Sequence, residues 1–273
     1  MLLDTIESAA ESARGLAFEI IVVDDQSTDG SCDRLPLSVG RIRSNKRLGC
    51  SGSRYLGAKY AIGDVIMLTD SHCVFPLGVV SGLYKEAYAR DDAILSVRVI
   101  LEKKGLSLGG VASMSKVGVK EHRTSRQAHN PVLIGSIYLM SRPVYEAMRE
   151  LPELPGYWGH CEMWYSTLAY RRGLRVVVPS HAPCVHRVSH GRKTLPYPLP
   201  PHHRMMNAHY YHACCFPESY DSKLKPILEK HSPGSSRHLV RDDRFNKLSQ
   251  WLMEGPVSEQ WFLHNVVRGG ARL

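Results

Sequence analysis

Short apolar runs that end in acidic residues recur along this chain. Residues 65–69 form an apolar run with β-branched side chains, which predicts a fully buried strand, and this run ends in the sequence Asp-Ser-His at residues 70–72. A second apolar run, residues 18–23, ends in two aspartates, residues 24–25. Ligands of open α/β sheets bind at the carboxyl ends of the strands. The pattern therefore predicts a ligand-binding edge that carries carboxylates.

Helices are predicted between these strands. Apolar residues at helical spacing, with glycine or proline at the ends, predict helices at residues 2–13, 49–61, 76–90, 143–150 and 161–172. Further strands are predicted at residues 41–44, 93–100, 132–140, 174–178 and 183–187. Glycines, serines and basic residues predict a loop over residues 101–130. Strands that alternate with helices predict an α/β layered fold with a mostly parallel sheet.

The last third of the chain differs in composition from the rest. A proline-rich segment that excludes regular helix and sheet begins soon after residue 191. Residues 202–211 are predicted to be helical, and the remaining residues are predicted to form helices and loops with Trp251 and Trp261 as anchors. We therefore predict a first domain over residues 1–190 and a helical extension, residues 191–273, packed on it.

The overall composition is that of a basic globular protein. The 273 residues are 43% hydrophobic and 22% charged, and the formal net charge of +9 favours an anionic partner such as a nucleotide, a nucleic acid or a membrane surface. No apolar run approaches the length that spans a bilayer, and no signal peptide opens the chain. Seven cysteines without a CxxC pair favour reduced thiols over a disulfide framework. We therefore expect a cytoplasmic protein.

Two features point to a metal ion and a phosphate. Asp70 and His72 are two residues apart, so in an extended segment they face the same side and offer half of a divalent metal site. The alternative is a polar turn in which Asp70 caps the next helix. The helix that starts at Gly49 offers free N–H groups to a phosphate, with Arg54 one turn in, although glycines also permit close helix packing.

Four sequence blocks resemble one family. They are the strand that ends in Asp-Asp-x-Ser at residues 23–27, the segment LGCSGSRYLGAKYAIGDVIMLTDSHCV at residues 48–74, and the blocks GYWGHCEMWYS and PCVHR at residues 156–166 and 183–187. This pattern resembles the family 2-like glycosyltransferases of the A-type fold, and among them the polypeptide N-acetylgalactosaminyltransferases. The resemblance covers residues 2–211. It implies a Rossmann-like, mostly parallel sheet flanked by helices.

On the donor side, the resemblance implies a UDP-sugar bound through a metal ion. Mn²⁺, or Mg²⁺, would neutralise the charge that develops on the departing diphosphate. The implied ligands are Asp70, His72 and His186, and mixed oxygen and nitrogen ligands suit Mn²⁺. Asp24 and Asp25 would hold the base and ribose. The full set of implied donor-binding residues is Asp24, Asp25, Ser27, Arg54, Asp70 and Ser71.

On the acceptor side, the resemblance implies Trp158, Gly135 and Ser136 as binding residues, and Glu162, together with Asp70, as catalytic. Glu162 would orient the acceptor hydroxyl or take its proton. Its alternative role is a carboxylate favoured by the helix dipole, and Trp158 has the alternative of core packing. Structural zinc remains a weaker alternative, since the cysteines and histidines lack paired spacing. Its candidate ligands are Cys73, His160, Cys161, Cys184 and His186.

The chain also departs from the family. The strand that normally opens the fold is missing before the first predicted helix, and no lectin domain or membrane anchor is present. These departures lead us to expect a bacterial or viral cytosolic enzyme. In the family, an acidic pair precedes the helix on the acceptor side. Glu162 stands at the second position of this pair, and Cys161 replaces the first member.

The favoured function is transfer of a hexose or N-acetylhexosamine, such as glucose or GalNAc, from a UDP-sugar to a hydroxyl, with retention implied by the resemblance. The acceptor is a peptide or a nucleic acid. The basic segments at residues 116–126 and 190–193 leave open transfer to hydroxymethylated DNA bases. A second alternative is a non-catalytic protein that binds UDP or a nucleotide sugar. A nucleotidyltransferase is disfavoured, because no glycine-rich basic loop follows the first strand.

Overall fold

The computed structural model describes residues 1–101, 105–107, 109–124, 129–134, 136–148, 152–187, 199–200 and 202–268. Its helices are α1 Leu2–Ser12, α2 Gly49–Tyr60, α3 Val79–Tyr88, α4 Arg142–Ala147, α5 Cys161–Arg171, α6 His203–Cys215, α7 Pro217–Ser219, α8 Lys225–His231, α9 Asp243–Met253 and α10 Glu259–Asn265. Its strands are β1 Ile21–Asp24, β2 Gly40–Arg43, β3 Val65–Thr69, β4 Cys73–Val74, β5 Ala93–Ser96, β6 Val99–Leu101, β7 Gly105–Ser107, β8 Gly110–Ser115, β9 Gly118–Arg123, β10 Ile137–Ser141, β11 Arg175–Val177, β12 Cys184–His186 and β13 Val267–Arg268.

The central sheet has the strand order β11-β5-β10-β3. β11 runs parallel to β5, but β10 is antiparallel to both β5 and β3. The described strand pairing is therefore mixed, whereas the alternation of strands and helices predicted a mostly parallel sheet. Parallel neighbours require a long crossover, usually a helix, whereas the described residues between β5 and β10 contain strands and turns without a helix.

Strand β3 has the predicted bounds, but it is only half buried. Ile66 and Leu68 lie in the larger hydrophobic core, while Val65 and Met67 are partly exposed and pack against a second, smaller core. The prediction of a fully buried strand was wrong because β3 lies at the edge of its four-stranded sheet, beside β10 alone. Asp70 follows the carboxyl end of β3 directly, and its side chain is 27% exposed.

The prediction of a loop over residues 101–130 was also wrong. Its described part contains β7 and a hairpin in which β8 and β9 pair antiparallel from Gly110↔Arg123 to Ser115↔Gly118. The hairpin turns at residues 116–117, and Gly118 adopts the left-handed conformation with φ +74°. Glycine and serine hid this hairpin, since both residues are depleted in strands generally. β13 then pairs in parallel with β8 and connects the end of the described chain to the hairpin.

The first two strands form their own small sheet. β1 and β2 are parallel and fully in register from Ile21↔Gly40 to Asp24↔Arg43, and no described pairing joins them to β3. β1 starts three residues later than predicted, and Phe18 is 51% exposed. In the described chain α1 precedes β1 and no strand precedes α1.

The C-terminal helices share the larger core with the sheet. Trp164 of α5, Tyr211 of α6 and Phe262 of α10 all belong to that core and are fully buried. Trp251 is 8% exposed and anchors α9 as predicted, but Trp261 is 43% exposed, so that prediction was wrong. The next residue, Phe262, takes the inward position on α10 instead. The division at residue 190 stays a prediction.

Candidate active site

Three predicted ligands meet at the carboxyl end of β3. Asp70 follows β3, His72 precedes β4, and His186 ends β12, which pairs antiparallel with β4 so that His186 stands opposite Cys73. Backbone hydrogen bonds fix the turn, because the Asp70 N–H donates to the Ser136 carbonyl at 2.9 Å and the Arg187 N–H donates to the His72 carbonyl at 2.9 Å. One ligand atom from each of the three residues lies within 4.8 Å of the other two.

The charge at this site is set by close neighbours. Asp70 Oδ1 accepts a hydrogen bond from Arg54 Nη2 at 3.0 Å, and Asp70 Oδ2 lies 3.3 Å from His186 Nε2. Burial works to raise the pKa of Asp70, but His186 and Arg54 outweigh it and hold that pKa at about 2, so the carboxylate is anionic. Burial lowers the pKa of His72, which favours the neutral imidazole that can bind a metal ion.

These residues fit a divalent cation. Nδ1 of His186 is buried without a hydrogen-bond partner, while its Nε2 lies 3.3 Å from Asp70 Oδ2. Buried polar atoms are normally satisfied, so the unpaired Nδ1 fits a metal ligand. Two ligand atoms that each lie about 2.0–2.6 Å from an ion are at most about 4–5 Å apart, which the spacing of this set allows. One carboxylate and two imidazoles suit Mn²⁺ better than Ca²⁺.

Arg54 joins the metal-ligand side of the site to Glu162. Its side chain is 8% exposed, and its Nη1 lies 3.6 Å from Glu162 Oε1 while Nη2 binds Asp70. The guanidinium also lies over the Tyr138 ring, 5.0 Å from its centroid. Glu162 is the second residue of α5, where the helix dipole favours a carboxylate. The buried guanidinium of Arg54 therefore contacts two carboxylates, Asp70 on the metal-ligand side and Glu162 at the start of α5.

The predicted acceptor residues have different surroundings. Trp158 is 37% exposed and the Arg204 guanidinium stacks 4.1 Å from its ring centroid. Ser136 is fully buried, and its backbone carbonyl receives the Asp70 N–H. Gly135 lies outside the described residues. Trp158 is thus the member of this set whose side chain a substrate can reach.

Asp24 and Asp25 are both engaged inside the protein. Asp24 is buried and pairs with Arg41 at 2.7 Å and Arg43 at 2.5 Å, while its Oδ1 accepts the Ser27 N–H at 2.8 Å. Burial works to raise the pKa of Asp24, but these partners lower it to about 2. The donor-binding role of both aspartates and of Ser27 stays a prediction.

The N-terminus of α2 is not free for a phosphate, and that prediction was wrong. Asp25 accepts hydrogen bonds from the Leu48 N–H at 2.6 Å and from the Gly49 N–H at 2.9 Å. A carboxylate of the protein therefore already occupies the place where the helix dipole favours an anion. Ser71, by contrast, is exposed in the turn between two metal-ligand candidates.

The described residues give no support to structural zinc. Asp70, His72 and His186 are the one group of three such side chains that they bring together. All seven cysteines are free. In the same described ranges, no helix is both long enough and apolar enough to cross a bilayer.

Comparison with known proteins settles the family. The family described as "Glycosyl transferase family 2" matches residues 1–149, which is more than half of the chain. The chain belongs to glycosyl transferase family 2. "Probable N-acetylgalactosaminyltransferase 6" of Caenorhabditis elegans is 27% identical over 296 aligned positions, which cover 97% of this chain and 47% of that protein. The chain thus spans about half the length of this curated relative.

Solved structures confirm the predicted A-type α/β fold of this family 2 member. The crystal structure of GalNAc-T7 with UDP, GalNAc and Mn²⁺ superposes with a TM-score of 0.67 at 16% identity, covering 97% of this chain and 54% of that one. S. aureus TarS 1-349 in complex with UDP-GlcNAc superposes with a TM-score of 0.54 at 15% identity, covering 97% of this chain and 77% of that one. At these identities the likeness concerns the fold alone.

The structure adds one carboxyl group that the sequence did not reveal. Glu121 lies on β9, and its Oε2 is buried without a hydrogen-bond partner. Burial, and then the negative charge of Glu162, raise the pKa of Glu121 to about 7. Glu121 falls in the stretch that was predicted as a loop, so no sequence signal separated it from solvated surface charges.

Proposed function

We propose that this protein is a metal-dependent glycosyltransferase that moves a hexose or N-acetylhexosamine from a UDP-sugar to a hydroxyl group. The observation that carries the proposal is the convergence of Asp70, His72 and His186 at the carboxyl end of β3. Membership of family 2 and the names of the relatives support it, since one is an N-acetylgalactosaminyltransferase and another was solved with UDP, GalNAc and Mn²⁺.

In this proposal, Asp70, His72 and His186 hold Mn²⁺, or Mg²⁺. The ion, when bound, supplies positive charge to the diphosphate that leaves the sugar. Ser71 is exposed in the turn beside the ligands and contacts the donor. Arg54 keeps its cationic side chain against Asp70 at 3.0 Å, where it adds positive charge on the donor side.

The acceptor side of the proposal rests on Glu162 and Trp158. Trp158 offers a partly exposed aromatic face on which a sugar ring or an acceptor side chain can stack. Glu162, held by Arg54 at 3.6 Å, orients the acceptor hydroxyl or takes its proton. A serine or threonine hydroxyl of a peptide is the proposed acceptor, GalNAc or glucose the proposed sugar, and retention the proposed stereochemical course.

Two further predictions accompany this proposal, one on the cellular setting and one on the acceptor. The seven free cysteines support a reducing, cytoplasmic setting. The nucleic-acid acceptor has no support from the named relatives and stays a prediction from the sequence. The alternative function is that of a non-catalytic protein that binds UDP, and a transfer assay distinguishes it directly from a transferase.

The test is release of UDP from UDP-GalNAc and UDP-glucose in the presence of a serine- and threonine-containing peptide, with Mn²⁺ or with EDTA. We expect peptide-dependent UDP release that EDTA abolishes and that His72→Ala reduces by at least about tenfold, because even loss of a group that only supports a metal ligand costs about 10–100-fold. His181→Ala is the matched control, because His181 is a histidine that faces Glu86 at 3.2 Å away from the site. Metal-bound UDP without any transfer would instead support the non-catalytic alternative.

A further inference from the structure

Helix α6, in the C-terminal part of the chain, holds the loop that carries Trp158. We call residues 156–159 the acceptor loop. Asn207 of α6 is fully buried beneath it and makes four hydrogen bonds to its backbone. Its Oδ1 accepts the Gly156 N–H at 2.6 Å, and its Nδ2 lies 3.1 Å from the Gly156 carbonyl, 3.3 Å from the Trp158 carbonyl and 3.0 Å from the Gly159 carbonyl.

Two neighbours of Asn207 on α6 contact the same loop. His203 Nδ1 accepts the Tyr157 N–H at 3.3 Å, and Arg204 covers the Trp158 ring at 4.1 Å. The approach is close, because a Cβ atom at Gly156 would lie 2.5 Å from the His203 carbonyl oxygen and 2.7 Å from Asn207 Oδ1. The acceptor loop is therefore seated directly on the surface of α6.

The acceptor loop depends on these contacts because it has no regular secondary structure of its own. The Gly156 carbonyl would be buried without its partner if Asn207 were removed, and such groups are costly. Gly159 and His160 both have left-handed backbone conformations, with φ +101° and +63°. The loop leads through these two residues into α5, whose second residue is Glu162.

We propose that Asn207 is a positioning residue that fixes the acceptor loop, and through it Trp158 and Glu162, in the arrangement that receives the acceptor. The proposal rests on the proposed function. In the described structure the hydrogen bonds of Asn207 go to the acceptor loop, and the Tyr157 carbonyl of that loop also accepts the Cys50 N–H of α2 at 2.8 Å, so we expect the main effect of Asn207 on the acceptor side. The C-terminal helices then serve acceptor recognition as well as the core.

The main experiment compares Asn207→Ala with His209→Ala. His209 is an equally buried residue of α6, two positions away and therefore on another face, where it binds the Tyr220 hydroxyl at 2.7 Å and the Ser235 hydroxyl at 2.8 Å. Both variants lose buried hydrogen bonds, but only Asn207→Ala releases the acceptor loop. We expect Asn207→Ala to lower kcat/KM for the acceptor peptide by about ten- to a hundredfold, with unchanged affinity for UDP and Mn²⁺.

Arg204→Ala is a second variant that does not touch the core, since Arg204 is exposed. We expect a smaller increase in the acceptor KM than for Asn207→Ala, because the stacking on Trp158 is lost while the loop stays bound. An acceptor KM that remains at the wild-type value in Arg204→Ala would overturn the α6 contribution to Trp158. Asn207→Asp keeps the acceptor of the Gly156 N–H but loses the Nδ2 donor, so it keeps the Asn207 proposal testable if Asn207→Ala does not fold. Wild-type acceptor kinetics in Asn207→Asp would overturn the positioning role.

Hydrogen exchange of the peptide that covers residues 156–162 provides a readout without activity. We expect faster exchange there in Asn207→Ala and wild-type exchange in His209→Ala. Equal acceleration in both variants, or faster exchange with unchanged acceptor kinetics, would overturn the positioning role. If the wild-type protein transfers no sugar at all, the proposed function fails. Unchanged hydrogen exchange in Asn207→Ala would separately show that Asn207 does not fix the acceptor loop.

Discussion

The metal-ligand side and the acceptor side of this site are built in opposite ways. Asp70 and His72 come from one turn at the end of β3, and His186 joins them through the pairing of β12 with β4. The acceptor loop instead depends on Asn207, which lies 51 positions further along the chain than the Gly156 that it binds. Two of the three ligand candidates come from one short turn, whereas the acceptor loop is held by a helix that lies far along the chain.

Arg54 is the residue that connects the two halves, since it binds Asp70 at 3.0 Å and approaches Glu162 to 3.6 Å. Substitutions on the Asp70 side of Arg54 should affect donor binding, and substitutions on the Glu162 side should affect use of the acceptor. Loss of Arg54 should affect both. The following predictions separate these cases.

The largest effect is expected for Asp70→Ala. This change removes the carboxylate from the proposed ligand set and should lower metal-dependent turnover by at least about a thousandfold, as loss of a main electrostatic element does. The fold should persist, because Asp70 is partly exposed and Arg54 keeps Glu162 as a partner. Steady-state turnover measures the loss of activity, and a circular dichroism spectrum shows whether the fold persists. Full turnover in this variant would contradict the metal assignment.

Arg54→Leu should strongly lower stability. The change leaves two part-buried carboxylates without their cation, and breaking such a buried pair costs about 3–5 kcal/mol. Urea unfolding measures this loss, and Mn²⁺ should restore more stability to Arg54→Leu than it adds to the wild type, because the ion replaces positive charge beside Asp70. Arg142→Leu is the control, since Arg142 binds the carbonyls of Ala61 and Gly63. Equal Mn²⁺ effects in Arg54→Leu and the wild type would contradict the shared role.

Glu162→Gln should reduce turnover more than it changes UDP affinity. The amide keeps the shape of the side chain but cannot take a proton, and loss of a general base typically costs about 10²–10⁴ in rate. Steady-state kinetics and UDP titration check the two quantities side by side. A variant that loses UDP binding while the bound complex still turns over would move Glu162 to the donor side.

The smallest effect concerns the stability contribution of Glu121. Its pKa is raised in the folded protein from 4.5 to about 7, so the native state holds a proton that the unfolded chain has released. Stability should therefore fall as pH rises through that window. Glu121→Gln should exceed the wild type in stability by about 1–3 kcal/mol at pH 8 and match it at pH 4. Unfolding curves at both values test this.

Glu7→Gln, on the exposed face of α1, controls for removal of one negative charge. The same stability gain at pH 8 in this control would show that net charge, rather than burial at Glu121, is responsible. A flat difference between Glu121→Gln and the wild type across the window would contradict the raised pKa.

The sequence predicted those parts of the site that depend on short spacing. The bounds of β3 follow from a short apolar run that ends sharply in polar residues. The spacing of Asp70 and His72 predicted that they face the same side of an extended segment, and the structure brings them together in a turn instead. His186 was implied by the family resemblance, and the structure explains it by the register of β12 against β4. The helix that carries Glu162 was predicted from residue 161 to residue 172, with Gly173 as its end.

Other parts depend on packing that periodicity does not encode. The hairpin β8–β9 was missed because glycine and serine are weak strand formers, and Glu121 was missed with it. Trp261 was mistaken for a core residue because the sequence does not tell which side of α10 faces inward. The hydrogen bonds by which Asp25 caps α2 depend on the tertiary approach of β1 to α2, so the sequence did not predict them. The donor-binding role of Asp25 stays a prediction.

Calorimetric titration of UDP into the purified protein, with and without Mn²⁺, tests the central claim most directly. The account predicts UDP binding that requires Mn²⁺ and disappears in Asp70→Ala, while Asn207→Ala retains wild-type affinity. UDP binding that is equally strong in EDTA, or that survives unchanged in Asp70→Ala, would contradict a donor site built on Asp70, His72 and His186.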